Sequence, residues 1–397
     1  MSKWEKVKLG EVCDVRDGTH DSPKYVLSGY PLITSKNISN GYIDLSEVNY
    51  ISKEDYDKIN ARSFVDNGDI LMPMIGTIGK PIVVDKQFDF AIKNVALCKF
   101  NKETAINSYI YYLLKSDLFI RYINKENRGG TQKFLSLGSI RSFVFPLPPL
   151  EVQKQIAQNL DTVSELLALR KKQLEELDEL IKSVFYDMFG DPVTNDKGWE
   201  IRKLKDITVS IQSGNTPKGG KQVYVNSGIM FFRSQNVWRN RIEINDIAYI
   251  DEKTHKKMGK TSLKHKDILI TKTGRFNTEN SSLGRAALFL GEDRSANING
   301  HVYLVRLKEG YVHEFVLYIL VTDEYKDYIR KVCVGGIDKR QINKEHLEEF
   351  PIIIPPFSLQ NEFATIVTKI EEQKALVKQS IEETQQLFDS LMSQYFD

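Results

Sequence analysis

Residues 148–190 recur at 355–397 with 13 of 43 positions identical, among them Pro148/Pro355, Pro149/Pro356, Gln153/Gln360, Ala157/Ala364, Leu180/Leu387 and Phe189/Phe396. Weaker echoes precede both copies in the same order. Trp4-Glu5 returns as Trp199-Glu200, Lys8-Leu9 as Lys203-Leu204, Tyr25-Val26 as Tyr224-Val225 and Ser28-Gly29 as Ser227-Gly228. Further on, Ser35 and Asn37 match Ser234 and Asn236. Asp69-Ile70-Leu71 matches Asp267-Ile268-Leu269, Gly76 matches Gly274, and Gly129-Gly130 matches Gly335-Gly336. Self-similarity at a fixed spacing means one structural unit built more than once. The 397 residues therefore divide into two copies of a globular part, a Pro-Pro corner and a helix. The expected boundaries are 1–147, 148–190, 191–354 and 355–397.

Each globular part mixes strand and helix signals. Residues 82–84, 96–100 and Val302–Leu307 are rich in β-branched and apolar residues and read as strands. Residues 109–123 and 315–329 have helical spacing, with Tyr112/Tyr318 and Tyr122/Tyr328 at matching places. The expectation is α+β for both parts, with the turn-rich stretch 189–197 joining the first helix to the second globular part.

After Pro149 the apolar residues fall in alternating steps of four and three: Ile156, Leu160, Val163, Leu167, then Arg170, then Leu174, Leu177, Ile181, Val184 and Met188. The second copy gives Phe363, Val367, Ile370, Lys374, Val377, Ile381, Thr384, Phe388, Leu391 and Tyr395. That is the seam of a coiled coil. A helix of about 37 residues is a rod of roughly 55 Å, far longer than the usual ~11–12 residues of a globular helix. The competing reading is a surface helix packed on its own domain; pairing of the two rods into an antiparallel coiled coil is preferred. Arg170 and Lys374 interrupt the seam. They either fix register, as polar seam residues can, or extend their charges to its edge.

Net charge is only +2, but it is segregated. Residues 151–190 carry −3 and 358–397 carry −4, which leaves +9 on the rest. Acidic rods with basic globular parts suit a partner rich in phosphate. A composition of 41% hydrophobic and 27% charged residues excludes a disordered chain. No apolar run approaches the ~18 residues of a membrane helix, and the N-terminus has no apolar signal core. Cys13, Cys98 and Cys333 are far apart and in no CxxC pair, so a reducing, cytoplasmic setting is expected.

Catalytic signatures fail one by one. Gly259-Lys260-Thr261 has the tail of a phosphate-binding loop, but Thr254 stands where the first Gly belongs. The Pro-Pro pairs follow Leu147 and Ile354, apolar residues unable to accept the hydrogen bond an amino-methyltransferase needs. The six histidines form no metal-ligand spacing, and no GxSxG occurs. A non-enzyme, with no metal, is expected.

The ordered double occurrence of these motifs strongly resembles the DNA specificity (S) subunits of type I restriction-modification systems. In the first half the likeness rests on Trp4, Lys8-Leu9-Gly10-Glu11, Asp17-Gly18-Thr19, Asp69-Ile70-Leu71, Gly76, Gly79-Lys80 and Pro148-Pro149-Leu150-Glu151 with Gln153, Ile156 and Ala157. In the second it rests on Trp199, Lys203-Leu204, the run from Ser213 to Lys218, Asp267-Ile268-Leu269, Gly274, Gly335-Gly336, Pro355-Pro356 and Gln360. One departure is His20-Asp21-Ser22-Pro23, where the second half has the tighter Thr216-Pro217. The resemblance implies two target-recognition domains separated by paired helices and reading a bipartite, asymmetric site in double-stranded DNA. It implies two methyltransferase subunits docked on the helices, joined by restriction and motor subunits. S-adenosylmethionine, and ATP with Mg, belong to those partners, and no cofactor to this chain. Two alternatives stay open: a specificity chain serving a fused methyltransferase-nuclease, and a coiled-coil scaffold that does not bind DNA.

Contacts to DNA are expected where the halves differ. One residue separates Pro23 from Tyr25, but six separate Pro217 from Tyr224, including Lys218 and Lys221 around a Gly pair that permits close approach to phosphate. The stretch after Asp267 up to Gly284 is longer than that from Asp69 to Gly79 and holds Lys272, Thr273, Arg275, Asn277 and Asn280. Arg and Asn suit bidentate readout of guanine and adenine edges. The short loop offers Met74, Thr77 and Lys80. Further candidates are Lys36 and Asn37; Arg233, Gln235 and Asn236; Arg128, Gln132 and Lys133; and Lys339, Arg340 and Gln341.

Overall fold

The computed structural model describes residues 4–39, 41–76, 78–100, 104–126, 134–275, 281–336 and 339–396. The chain forms two compact units. The first joins residues 1–173 to 377–397, and the second is 174–376. Each unit thus owns one half of each long helix.

The first unit is built on strands β1 (Cys13–Asp17), β2 (Ile70–Pro73), β3 (Ile82–Val83) and β4 (Val95–Phe100), in the order β1-β4-β2-β3. All neighbours are antiparallel, with Cys98 opposite Val15 and Leu97 opposite Leu71. The central β2 is buried on both faces, which is why it reads as an unbroken apolar run. A second sheet sets Ala91–Ile92 parallel to Tyr30–Ile33, followed by Asn49–Ile51 and Tyr25–Val26. Helices α1 (Asn107–Lys115) and α2 (Asp117–Glu126) cover the first sheet through Tyr109, Ile110, Leu113, Phe119 and Ile123. The long helix α3 (Leu150–Phe189) follows.

The second unit repeats the plan. Strands β5 (Thr208–Ser213), β6 (Val237–Trp238), β7 (Arg241–Ile242), β8 (Ile268–Thr271), β9 (Thr273–Gly274), β10 (Ala286–Leu288), β11 (Val302–Leu307), β12 (Val334–Gly336) and β13 (Lys339–Gln341) are its principal ones here. The main sheet runs β5-β11-β8-β10, strand for strand the order of the first unit. Helices α4 (His313–Leu320) and α5 (Asp323–Val332) take the places of α1 and α2, and α6 (Phe357–Phe396) closes the chain.

The expected strands are present as Ile82–Val83, Val95–Phe100 and Val302–Leu307. Each expected helix at 109–123 and 315–329 is instead two helices. The break is chemical. Ser116 Oγ accepts the amide of Phe119, and Thr322 Oγ1 accepts that of Tyr325. A hydroxyl that caps a new helix competes with continuation of the old one.

Both long helices span 40 residues and start directly after a Pro-Pro corner. Gln153 and Gln360, nearly inaccessible, donate Nε2–H to the carbonyls of Pro148 and Pro355, each at 2.8 Å. That bond fixes the corner the same way twice. Within the first unit Asn159 donates to Tyr395 (2.9 Å) and Arg170 to Ser380 and Thr384. Within the second, Lys374 meets Asp178 and Phe363 packs on Phe185. Rising numbers on one helix meet falling numbers on the other, so the pairing is antiparallel. The expected seam residues Ile156, Leu160, Val163, Leu167 and Ile181 are buried, as are Phe363, Val367 and Ile370. The fold is the expected α+β duplication with an antiparallel coiled coil. Among the described residues no helix is long and apolar enough to cross a membrane, and no group of three potential metal ligands occurs.

Candidate nucleic-acid interface

The two units share a scaffold around their sheets and differ in the loops it carries. Asp69 and Asp267 immediately precede the central strands and are buried. Lys99 Nζ lies 2.7 Å from Asp69 Oδ2, and at the same place in the second unit Arg306 binds Asp267 through two nitrogens, at 2.6 and 2.8 Å. Each carboxylate also accepts the backbone N–H three residues before it, from Asp66 and Lys264. The Asp-Ile-Leu motif is therefore a structural clamp.

Two glycine pairs hold the loops against this frame. A Cβ on Gly18 would stand 2.0 Å from the carbonyl oxygen of Ile92, and one on Gly214 2.1 Å from that of Asn299. Gly79 and Gly284 both have positive φ and face the equivalent side chains Ile123 and Ile329. The turn after Gly18 is held by His20, with Nε2 2.7 Å from Asp17 Oδ2 and Nδ1 2.7 Å from Asn94 Oδ1. Arg62 also pairs with Asp17. The second unit replaces this bridge with Lys272, whose ammonium donates to Ser213 Oγ (3.0 Å).

The expected DNA-contacting residues fall into three groups. Thr77, Arg128, Gln132, Lys133 and Asn277, with Asn280, lie outside the described residues. Lys36, Lys80, Lys218, Lys221, Gln235, Arg275 and Lys339 are exposed. Lys218 and Lys221 flank a turn in which Gly219 and Gly220 both have positive φ.

Asn37, Asn236, Lys272, Arg233 and Arg340 are engaged by the protein itself. Asn37 and Asn236 are corrections: both are buried, and their amides are spent on their own turns. Asn37 Oδ1 accepts Thr34 N–H (3.0 Å) and its Nδ2 donates to Asp44 O (3.2 Å). Asn236 Oδ1 accepts Arg233 N–H (3.0 Å) and its Nδ2 donates to Glu243 O (3.0 Å). A side chain so engaged has no free edge for a base. Lys272 is a further correction: its ammonium sits 4.7 Å from the Tyr303 ring centre, and burial lowers its pKa. Arg233 and Gln235 both bind Asp246, and those bonds, Gln235 first, hold the Asp246 carboxyl below its ordinary value. Arg340 is half-buried and donates to Cys333 O (3.2 Å).

One grouping was not legible as such. Thr273-Gly274 pairs with Arg340-Gln341, and 334–336 completes this small sheet, β9-β13-β12. Candidates from two distant loops, Thr273 and Lys339 to Gln341, thereby share one surface element. Missed entirely was the run Trp238-Arg239-Asn240-Arg241 with Arg285. Arg285 lies 3.8 Å from the Trp238 ring centre and Arg241 5.2 Å. The basic, aromatic-containing run is visible in the sequence; the approach of Arg285 is not.

This geometry has known counterparts. The type I restriction modification DNA specificity domain matches twice, at residues 1–179 and 196–386. The type I restriction enzyme MjaIX specificity subunit of Methanocaldococcus jannaschii is 24% identical, covering 93% of this chain and 87% of its own. The EcoKI specificity subunit of Escherichia coli K12 is 20% identical over 86% of this chain and 75% of its own. Among solved structures, the type I restriction-modification S subunit from M. genitalium shares the fold with a TM-score of 0.58 and 16% identity, covering all of this chain and 96% of its own. A chain from a study of complex assembly in the type I R-M system gives 0.59 and 17%, over 98% and 96%. The match to the specificity domain spans nearly the whole chain and falls once on each repeat, so the chain belongs to the type I restriction-modification DNA specificity family.

Proposed function

We propose that this chain is the non-catalytic DNA-recognition subunit of a type I restriction-modification complex, and that its two units read different halves of one bipartite, asymmetric duplex site. The observation that carries this reading is a repeated frame with unlike loops. Asp69–Lys99 and Asp267–Arg306 hold equivalent sheets. On them the first unit presents Lys36 and Lys80, the second Lys218, Lys221, Arg275 and Lys339. Equal frames place two readers alike, and unequal side chains read unlike sequences.

Partner docking is supported by a second repetition. Leu169 and Leu376 are equivalent positions on the two helices and are 57% and 66% exposed; Leu180 and Leu387 are likewise equivalent, at 47% and 49%. Apolar side chains off the seam, matched twice, suit two copies of one partner. That partner is the methyltransferase subunit. S-adenosylmethionine belongs to it, and ATP with Mg to the restriction and motor subunits that join it.

The test is to map methylated bases in cells with and without this gene. Loss of one bipartite methylated motif is expected. An unchanged methylation pattern would favour a scaffold that does not direct DNA recognition.

A further inference from the structure

The second unit has a basic surface of which the reading above uses only Arg275. A cleft of 370 Å³ opens beside the β6–β7 hairpin and α5, lined among others by Trp238, Arg239, Arg275, Arg285, Lys326 and Arg330. Among the described residues, Asp323 is the one acidic residue in its wall. That carboxylate is already engaged, by Arg239 at 2.9 Å and Lys182 at 3.5 Å. Arg330 is shared with the exposed Asp327 at 3.1 Å.

Arg285 is held at the centre of this wall. Its Nε donates to Ser281 O (2.9 Å) and its guanidinium lies against the Trp238 ring. Burial, and then the charge of Arg241, push its pKa down. A cation kept among cations against an apolar ring concentrates positive potential in a concave site. Lys326 and Arg330 add to it from one face of α5, a turn apart. The first unit carries Ser39, Lys80 and Asn124 where the second has Trp238, Arg285 and Arg330.

We propose that this cleft seats a backbone phosphate of the DNA duplex and anchors the second unit on its half-site whatever the base sequence. Arg and Lys side chains gathered round a concave wall supply charge-assisted donors to phosphate oxygens, and stacking on Trp238 fixes the Arg285 charge behind them. Arg275, an expected base reader, lies in the same lining, which sets reader and anchor side by side. The inference rests on the DNA-reading proposal above.

The test uses the full chain within its methyltransferase complex, bound to its target duplex and to an unrelated duplex over a salt series. Lys326→Gln with Arg330→Gln should weaken both duplexes by about tenfold near physiological salt. It should reduce the slope of log affinity against log salt by ~0.9, the worth of the one phosphate the cleft seats, and leave the methylated motif unchanged. The charge-keeping pair Lys326→Arg with Arg330→Lys should retain the parental slope. Unaltered affinity and slope in the glutamine variant, or loss of the target duplex alone, would overturn the anchor. So would an equal slope loss in the charge-keeping variant. Failure of the parental complex to bind any duplex would instead bring down the DNA-reading proposal itself, and the anchor with it.

Discussion

Lys374 Nζ lies 2.6 Å from Asp178 Oδ1 on the opposite helix, with only 8% of the lysine side chain exposed. In the first unit Arg170 likewise crosses the seam to Ser380 O and Thr384 Oγ1. Each side chain bonds across the seam to the opposite helix, which, of the two readings the sequence left open, favours register. The repeat sharpens this. The equivalent of Lys374 is Leu167, that of Arg170 is Val377, and that of Thr384 is Leu177. Lys374 and Arg170 thus each meet a polar partner on the other helix at positions whose equivalents in the repeat are apolar. Replacing Lys374 with Leu should change unfolding free energy by no more than about 1 kcal/mol, because the carboxylates it leaves, Asp178 and Glu371, are open to water and are not stranded as buried charges. Denaturant titration checks it. A loss above about 3 kcal/mol would show the ion pair to be net stabilising.

The carboxylate clamps should respond differently to the same change. Asp267→Asn leaves a guanidinium without its buried partner and should cost about 3 kcal/mol. Asp69→Asn should cost less, because Lys99 keeps Asp66 at 2.7 Å. Equal losses in the two variants, by denaturant titration, would contradict this ranking.

Acid should weaken the second unit through two histidines. Burial lowers the pKa of both His255 and His313. As pH falls through the ordinary histidine value of ~6.5, the unfolded chain takes up protons before the folded one. Stability is therefore complete above that pH and declines below it. Thermal midpoints between pH 7.5 and 5 should fall, and His255→Gln with His313→Gln should flatten that fall. A parental midpoint constant over this range would refute the coupling.

The reading residues predict separable phenotypes. Arg275→Ala should relax or abolish recognition of one half-site, with ~1–3 kcal/mol of discrimination lost. Lys218→Ala with Lys221→Ala should weaken all duplexes and flatten the salt dependence. Methylation mapping and salt-series binding distinguish the two. Full motif retention in the Arg275 variant would make that position part of the frame.

The duplication, the α+β class and the paired rods were legible because they rest on periodicity and order along the chain. The candidate site was legible only in part. Asn37 and Asn236 carry the right functional groups for adenine, but a three-residue turn consumes them, and sequence does not reveal whether an amide is already satisfied. Lys272 stands in a charged loop yet folds inward to Ser213. Arg285 comes to Trp238 across 47 positions of chain, a distance that local patterns do not register.

The most direct test of the central claim is to lengthen the rods. Seven residues inserted between Gln173 and Leu174, with seven more between Leu376 and Val377, keep the seam in phase and add about 10.5 Å of helix. At ~3.4 Å per base pair that is roughly three base pairs. Methylation mapping should then return both half-sites unchanged with a longer spacer between them. An unchanged spacer would contradict the account of two readers set apart by paired helices.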